Sequence, residues 1–318
     1  MARRPSGRGI VVDSPASRSA FDVTAFDGPQ TGPDPAFQPS SRQSCPMVPS
    51  RVAPGLPSGD RFGQTAHHNM TKAVILAAGK GTRMGDLTQE IPKPMLAVQG
   101  RPILEHIVEG LKEVGVREFH LVTGWRAEVI ESHFGDGSRF GVRISYSRQV
   151  VQDGTGKAPE LATEFVGHDD FVLTYGDILV KPETYGQMIE RWRSGPFDGV
   201  LTVTAGEDVT KGGLFFFDDE RFCLTRLVEK PDAAQLERLR ADGWIRPGKP
   251  VWYNAGIYLF RPSLFEYTAR LQKSPRGEYE LTDALAAMIA GGKVLAGLRI
   301  AGRWVDVRDP EVLASLQA

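Results

Sequence analysis

The chain has 318 residues, a formal net charge of −1, 41% hydrophobic residues and two cysteines, Cys45 and Cys223, far apart in sequence. This balance excludes the strong basicity of a nucleic-acid binder, and the cysteine spacing supports neither a disulfide framework nor a zinc site. No apolar run approaches the roughly 20 residues that cross a bilayer and no signal-peptide core is present, so a soluble, cytoplasmic protein without a membrane partner is expected.

Residues 1–69 contain no Lys and no Glu and are crowded with Pro, Ser, Gly and Arg, a composition that cannot bury enough apolar surface to fold. They are expected to be a disordered extension, or sequence read ahead of a true start at Met70; the second reading is preferred. Asp13, Asp22, Asp27 and Asp34 break the acid-poor pattern of a transit peptide. Residues 70–318 suffice for one large α/β domain.

Ala73–Ala77 reads as a buried strand, followed by the glycine loop Ala78-Gly79-Lys80-Gly81-Thr82-Arg83 and then by Pro92-Lys93-Pro94-Met95. Gly79 and Gly81 are expected to take positive φ, so that backbone N–H groups can turn toward phosphate oxygens. Arg83 offers a planar, permanently charged fork, and Lys93 a point charge steadied by the prolines on either side. Read alone, the stretch is also compatible with a strand, a turn and two surface cations. It is not a P-loop, because no Gly-Lys-Ser/Thr closes it, and it lacks the third glycine of a dinucleotide fingerprint.

Ile103–Val114 has the apolar spacing of an amphipathic helix, with Pro102 at its start and Gly115 after its end. Phe119–Thr123, Val142–Tyr146 and Phe171–Tyr175 read as strands, with a helix at Ala127–Phe134. This alternation predicts a Rossmann-like, mostly parallel sheet with helices on both faces. Beyond residue 195, closely spaced strands at Gly199–Thr204, Leu214–Phe217, Leu224–Glu229 and Val251–Phe260 predict a mixed-sheet extension. Helices at Pro262–Gln272 and Leu281–Ala290, a strand at Val294–Ile300 and a helix from Pro310 complete the pattern. Thr282 or Asp283 is expected to start the helix at Leu281. Asp177 follows a strand and a glycine at the carboxyl edge of the sheet, where open α/β folds bind ligands, and Trp304-Val305-Asp306 ends a second short apolar segment.

The string from Leu76 to Gly85, with Pro92-Lys93-Pro94, resembles the signature of nucleoside-diphosphate-sugar pyrophosphorylases, the sugar-1-phosphate nucleotidyltransferases. The resemblance extends from Lys72 to Leu316 and implies a glycosyltransferase-A-like nucleotidyltransferase fold whose extension binds the sugar. It implies that Leu76, Ala77, Ala78, Gly79, Gly81 and Thr82 wrap a nucleoside triphosphate, that Arg83 meets its β and γ phosphates, and that Lys93 acts on the α phosphate. It further implies that Asp177 and Asp306 hold Mg²⁺, a hard cation suited to carboxylate and phosphate oxygens. Glu229-Lys230-Pro231 matches the element in which the glutamate meets a sugar hydroxyl and the lysine the sugar phosphate. Asn254-Ala255-Gly256 and Gly213 match further sugar contacts, although Gly212 stands where an aromatic is common.

Gln149 and Gly154 resemble, in spacing, the pair that reads a pyrimidine in uridylyl- and thymidylyltransferases, so UTP or dTTP is the expected donor. A side-chain amide can donate and accept, as the O4 and N3–H edge of uracil or thymine demands. The chain departs from the pattern at Lys157 and Pro159, and Lys157 is read as either an extra phosphate contact or, preferably, a surface charge. The expected activity transfers a nucleotidyl group to a sugar-1-phosphate with release of pyrophosphate. A catalytically inactive scaffold, or an enzyme with a non-sugar phosphorylated acceptor, are the alternatives. A glycosyltransferase is disfavoured because Asp177-Ile178-Leu179 stands where its Asp-x-Asp would be. No hexapeptide pattern follows residue 290, so the left-handed β-helix and acyltransferase of some relatives are not expected. No nucleic-acid partner is expected, and a homo-oligomeric state is left open.

Overall fold

A computed structural model describes residues 72–317; the expectations on residues 1–69 and on Met70 lie outside the described residues. The strands are β1 (Lys72–Ala77), β2 (Ala97–Val98), β3 (Arg101–Pro102), β4 (Glu118–Thr123), β5 (Arg143–Arg148), β6 (Phe171–Tyr175) and β7 (Ile178–Val180). They continue with β8 (Gly199–Thr204), β9 (Gly213–Phe217), β10 (Leu224–Glu229), β11 (Trp252–Phe260), β12 (Leu295–Arg299) and β13 (Trp304–Asp306). The helices are α1 (Ile103–Glu113), α2 (Ala127–Phe134), α3 (Thr163–Val166), α4 (Pro182–Arg193), α5 (Ala233–Ala241), α6 (Leu264–Thr268), α7 (Leu281–Ala290) and α8 (Pro310–Ser315).

Nine strands form the main sheet, whose spine runs β10-β9-β11-β6-β1-β4-β5, with β8 joined to β11 and β12 to β8. β6, β1, β4 and β5 are parallel neighbours, as the alternating pattern predicts. β11 pairs antiparallel with β6, β8 and β9 and so joins the parallel half to the mixed extension. The strands of the parallel half read as continuous apolar runs because both faces are covered. Val74, Ile75, Phe119, Leu121, Val172 and Leu173 are all fully buried.

Helix α1 turns Ile103, Ile107, Val108 and Leu111 into the core and leaves Glu113 toward water. It lies close to α4, where a Cβ on Gly110 would come within 3.0 Å of the Tyr185 ring. Three helices were not read from the sequence, the short α3 among them. α4 starts with Pro182 in its first turn, and α5 starts with a capping box between Asp232 and Gln235. The stretch between β10 and β11 is therefore helical over Ala233–Ala241. The predicted start of α7 is also corrected: Glu280 holds the N-cap position, and no side chain caps it. Thr282 is buried there, and burial raises the Asp283 carboxyl. Among the described residues, no helix is long and apolar enough to cross a membrane.

Candidate active site

β1 ends at Ala77, and the chain turns at Gly81 with φ +65° into a 3-10 helix over Thr82–Thr88. A Cβ on Gly81 would stand 3.0 Å from the Lys93 Cβ, so this glycine lets the loop close down on Lys93. Gly79 does not share that conformation. It is absent from the positive-φ glycines, and a Cβ there would meet nothing within 4 Å, so it leaves space above the backbone rather than making a turn. Behind the loop, the Trp125 N–H donates to the Ala78 carbonyl at 3.1 Å, and the Lys80 ammonium lies 4.6 Å from the centre of the Trp125 ring.

Leu76, Ala77, Ala78, Gly79, Gly81 and Thr82 line a cleft of about 660 Å³ together with Gln149 and Gly154. Arg83, Lys93, Asp177 and Asp306 line the same cleft. The fold thus brings residues from five separate stretches, 76–83, 93, 149–154, 177 and 306, to one place. Lys80, Thr155, Tyr175, Glu278 and Arg308 also line it, without any motif having marked them.

The two aspartates meet because β13 pairs antiparallel with β7, in a register that puts Asp306 opposite Ile178. The Val307 N–H donates to the Asp177 carbonyl at 3.0 Å and locks that alignment. Lys93 Nζ lies 2.5 Å from Asp177 Oδ2 and 3.7 Å from Asp306 Oδ1, with its side chain 9% exposed. The Asp306 carboxyl is pushed up to about 6, first by burial and then by the neighbouring Asp177 charge. Two carboxylates sharing one ammonium therefore keep an excess of negative charge. Among the described residues no third His, Cys, Asp or Glu joins a metal-type group. Two oxygen-donor side chains suit Mg²⁺, which keeps several waters and phosphate oxygens in its shell, and they do not suit a metal held by protein alone.

The loop that carries Gln149 and Gly154 is tied down by residues far away in sequence. Gly154 has φ +116° and bridges to Tyr279, and the Gly156 N–H donates to the Tyr279 carbonyl at 2.7 Å. The Gln149 amide donates from Nε2 to the Gly154 carbonyl at 3.3 Å. Lys157 is not a cleft residue: its ammonium donates to the Ala269 carbonyl at 3.0 Å and lies 5.6 Å from the Tyr279 ring centre. Of its two expected readings, this placement supports the surface charge: the ammonium stays outside the cleft lining and braces the loop.

Gly213, Glu229, Lys230 and Asn254 form a neighbouring group that adjoins the cleft without lining it. A Cβ on Gly213 would come 3.0 Å from Glu229 Oε2 and 3.4 Å from the Asn254 Cβ. Asn254 is aimed there by a bulge in β11, where Gly256 has φ +77° and lies against Tyr175. Its amide is held by the Tyr258 hydroxyl at 2.7 Å. Tyr175 lines the cleft with a phenol that burial pushes up to about 12, and its ring stands edge-on to Tyr258. It is the partition between the two groups.

Lys230 has φ +42°, a region non-glycine residues seldom occupy and one concentrated at functional sites. Its ammonium lies 3.8 Å from Glu229, whose carboxyl burial raises. The missing aromatic before Gly213 is supplied from another strand: a Cβ on Gly212 would fall 2.2 Å from the Tyr253 hydroxyl. Arg276 was missed. It pairs with Glu280 at 2.8 Å and reaches within 3.9 Å of Glu229. The signal was the Arg276-Gly277 turn directly before Glu280-Leu281-Thr282-Asp283, a string read as structural only.

One cleft thus gathers a glycine loop, two cations and two edge carboxylates, with a polar pocket beside it. The chain belongs to the nucleotidyl transferase family, whose model matches residues 72–317. It is 33% identical over 241 residues to the low-salt glycan biosynthesis nucleotidyltransferase of Haloferax volcanii, covering 76% of this chain and 63% of that relative's length. It is 32% identical over 242 residues to a UTP–glucose-1-phosphate uridylyltransferase of the same organism, covering 76% of this chain and 92% of the relative. A solved Bacillus anthracis protein, described as a candidate glucose-1-phosphate thymidylyltransferase, superposes with a TM-score of 0.66 at 25% identity. That match covers 78% of this chain and 94% of the other. These matches make the chain a sugar-1-phosphate nucleotidyltransferase by family.

Proposed function

We propose that this chain transfers a uridylyl or thymidylyl group from UTP or dTTP to a sugar-1-phosphate, with release of pyrophosphate. The observation that carries the reading is the Lys93, Asp177 and Asp306 cluster in the cleft that the glycine loop lines. An oxygen of the sugar phosphate forms a bond to the α-phosphorus, and the bond from that phosphorus to the bridging oxygen of pyrophosphate breaks. The nucleophile is an anion at neutral pH, so no general base is needed; the enzyme must hold two polyanions together and spread the developing charge.

Asp177 and Asp306 would hold Mg²⁺, which neutralises phosphate charge in such transfers. The Lys93 ammonium, now engaged with the carboxylates, is in reach of an α phosphate bound beside them. Arg83 and Lys80 receive the β and γ phosphates at the mouth of the cleft. Because the Gln149 Nε2 is used by Gly154, its Oε1 remains to accept from the N3–H of uracil or thymine, which cytosine lacks. Glu229 and Asn254 face the sugar hydroxyls, and Lys230 its phosphate. Use of a nucleoside triphosphate supports the cytoplasmic setting expected from the cysteines.

The test is a panel of four nucleoside triphosphates against several sugar-1-phosphates, with magnesium and detection of pyrophosphate. Turnover is expected with UTP or dTTP and at least one sugar-1-phosphate. Pyrophosphate release with none of the pairs would sink the reading.

A further inference from the structure

Arg308 belongs to no motif, yet it lines the nucleotide cleft two residues after Asp306. Its Nη2 donates to Glu207 Oε2 at 2.8 Å, and the two side chains are 21% and 23% exposed. Its backbone N–H donates to the Asp306 carbonyl at 2.7 Å, which ties it to the aspartate pair. A guanidinium has about five N–H donors in one plane. Among the described residues, no side chain other than Glu207 pairs with Arg308, so donors remain for a ligand.

Its surroundings indicate which substrate it serves. The Tyr253 ring stands edge-on to Trp304, on the strand that ends at Asp306, with ring centres 6.0 Å apart, and its phenol, raised first by burial, also feels the charges of Asp306, Arg308, Glu207 and Glu229. The same phenol backs Gly212, next to Gly213 and the Glu229 carboxylate. Arg308 is thus continuous, through Tyr253, with the acceptor pocket, while Arg83 and Lys80 belong to the glycine loop. Electrostatics asks for a cation at this point. A phosphate monoester carrying nearly two negative charges must approach an α phosphate lying beside Asp177 and Asp306, and like charges repel strongly in a half-buried site. Lys230 is already drawn toward Glu229 at 3.8 Å and Arg276 toward Glu229 and Glu280.

We propose that Arg308, oriented by Glu207, binds the phosphate group of the sugar-1-phosphate through the N–H donors it does not give to Glu207. This rests on the reaction proposed above. Arg308 then acts as a specificity determinant for a phosphorylated acceptor, and Glu207 as its positioning residue.

The experiment measures initial velocities of the full chain with each substrate varied in turn, for wild type, R308Q, R308K and E207Q. R308Q is expected to raise KM for the sugar-1-phosphate about 10-fold or more, the scale of a lost charged hydrogen bond, while KM for the triphosphate stays within about 2-fold. R308K should recover part of that loss, since an ammonium keeps the charge and not the fork. E207Q should move the same constant in the same direction by a smaller factor. Inorganic phosphate is the direct probe: it should compete with the sugar-1-phosphate on wild type and several-fold more weakly on R308Q. An unchanged acceptor KM in R308Q, or a rise in the triphosphate KM alone, overturns the proposal. If R308Q melts well below wild type, R308K and E207Q decide by the same two constants. Absence of turnover in wild type would defeat the proposed reaction itself, whereas wild-type turnover with an unmoved acceptor KM defeats only the role of Arg308.

Discussion

Lys93 Nζ lies 2.5 Å from Asp177 and 3.7 Å from Asp306, so a single ammonium sits against both carboxylates of the cleft. The α phosphate is proposed to bind beside these carboxylates, within reach of that ammonium. Lys93→Met is expected to lower kcat by about 10²–10³, or roughly 3–4 kcal/mol of transition-state stabilisation, with a much smaller change in either KM. Pyrophosphate-release kinetics measures this, and an unchanged kcat would remove Lys93 from the chemistry.

Asp306 offers a prediction in which stability and activity move in opposite directions. Its folded pKa, about 6, lies above the ordinary carboxylate value, so the ionised form opposes folding at neutral pH. That opposition fades as the pH falls through about 6. Asp306→Asn should therefore stabilise the metal-free protein by roughly 1–2 kcal/mol at neutral pH, after discounting for partial exposure, and the gain should shrink near pH 5. The same variant should lose magnesium-dependent turnover. Thermal melts across pH check the first half, and a variant that melts below wild type at pH 7 refutes it.

Gln149 is the one side chain proposed to read the base edge. Gln149→Leu removes both the donor to Gly154 and the acceptor for N3–H, and should narrow the preference for UTP or dTTP over CTP by about 10-fold. Competition between triphosphates in one assay tube reports this ratio directly; a preserved ratio would move base reading to other residues.

Gly154→Ala tests the brace beneath the base. Its Cβ would stand 2.3 Å from the Tyr279 carbonyl oxygen at φ +116°, so the loop must shift. The expected result is a loss of about 1–3 kcal/mol in stability and a raised KM for the triphosphate, with the sugar-1-phosphate KM little changed. A denaturant melt and the two KM values suffice, and equal rises in both constants would show that the loop serves both substrates.

The parallel half of the sheet was readable because strand and helix alternate with clear apolar periods and because Gly115 marks a stop. That the glycine loop, Arg83 and Lys93 line one cleft was readable because they stand close together in sequence. What escaped notice had local signals too weak to compete. α5 exposes most of its surface and turns in only Leu236 and Leu239, so its period is faint although Asp232 and Gln235 announce its start. Gly79 was assigned a turn that Gly81 alone makes. Arg276 and Arg308 come to the site through strand pairing and a long connection, and no spacing rule ties either to the loop at residue 79. The exchange of Tyr253 for an aromatic at 212 is a packing solution visible only in three dimensions.

Strand β11 gives Trp252 and Tyr253 to β9 and Ile257–Phe260 to β6, with the kink at Gly256 between the two allegiances. One half of this ribbon is joined to the strand that leads to Asp177, and the other half carries Asn254. On the reaction proposed here, a different acceptor sugar can be reached by substitutions at the 252–256 end of this ribbon without disturbing its pairing with β6.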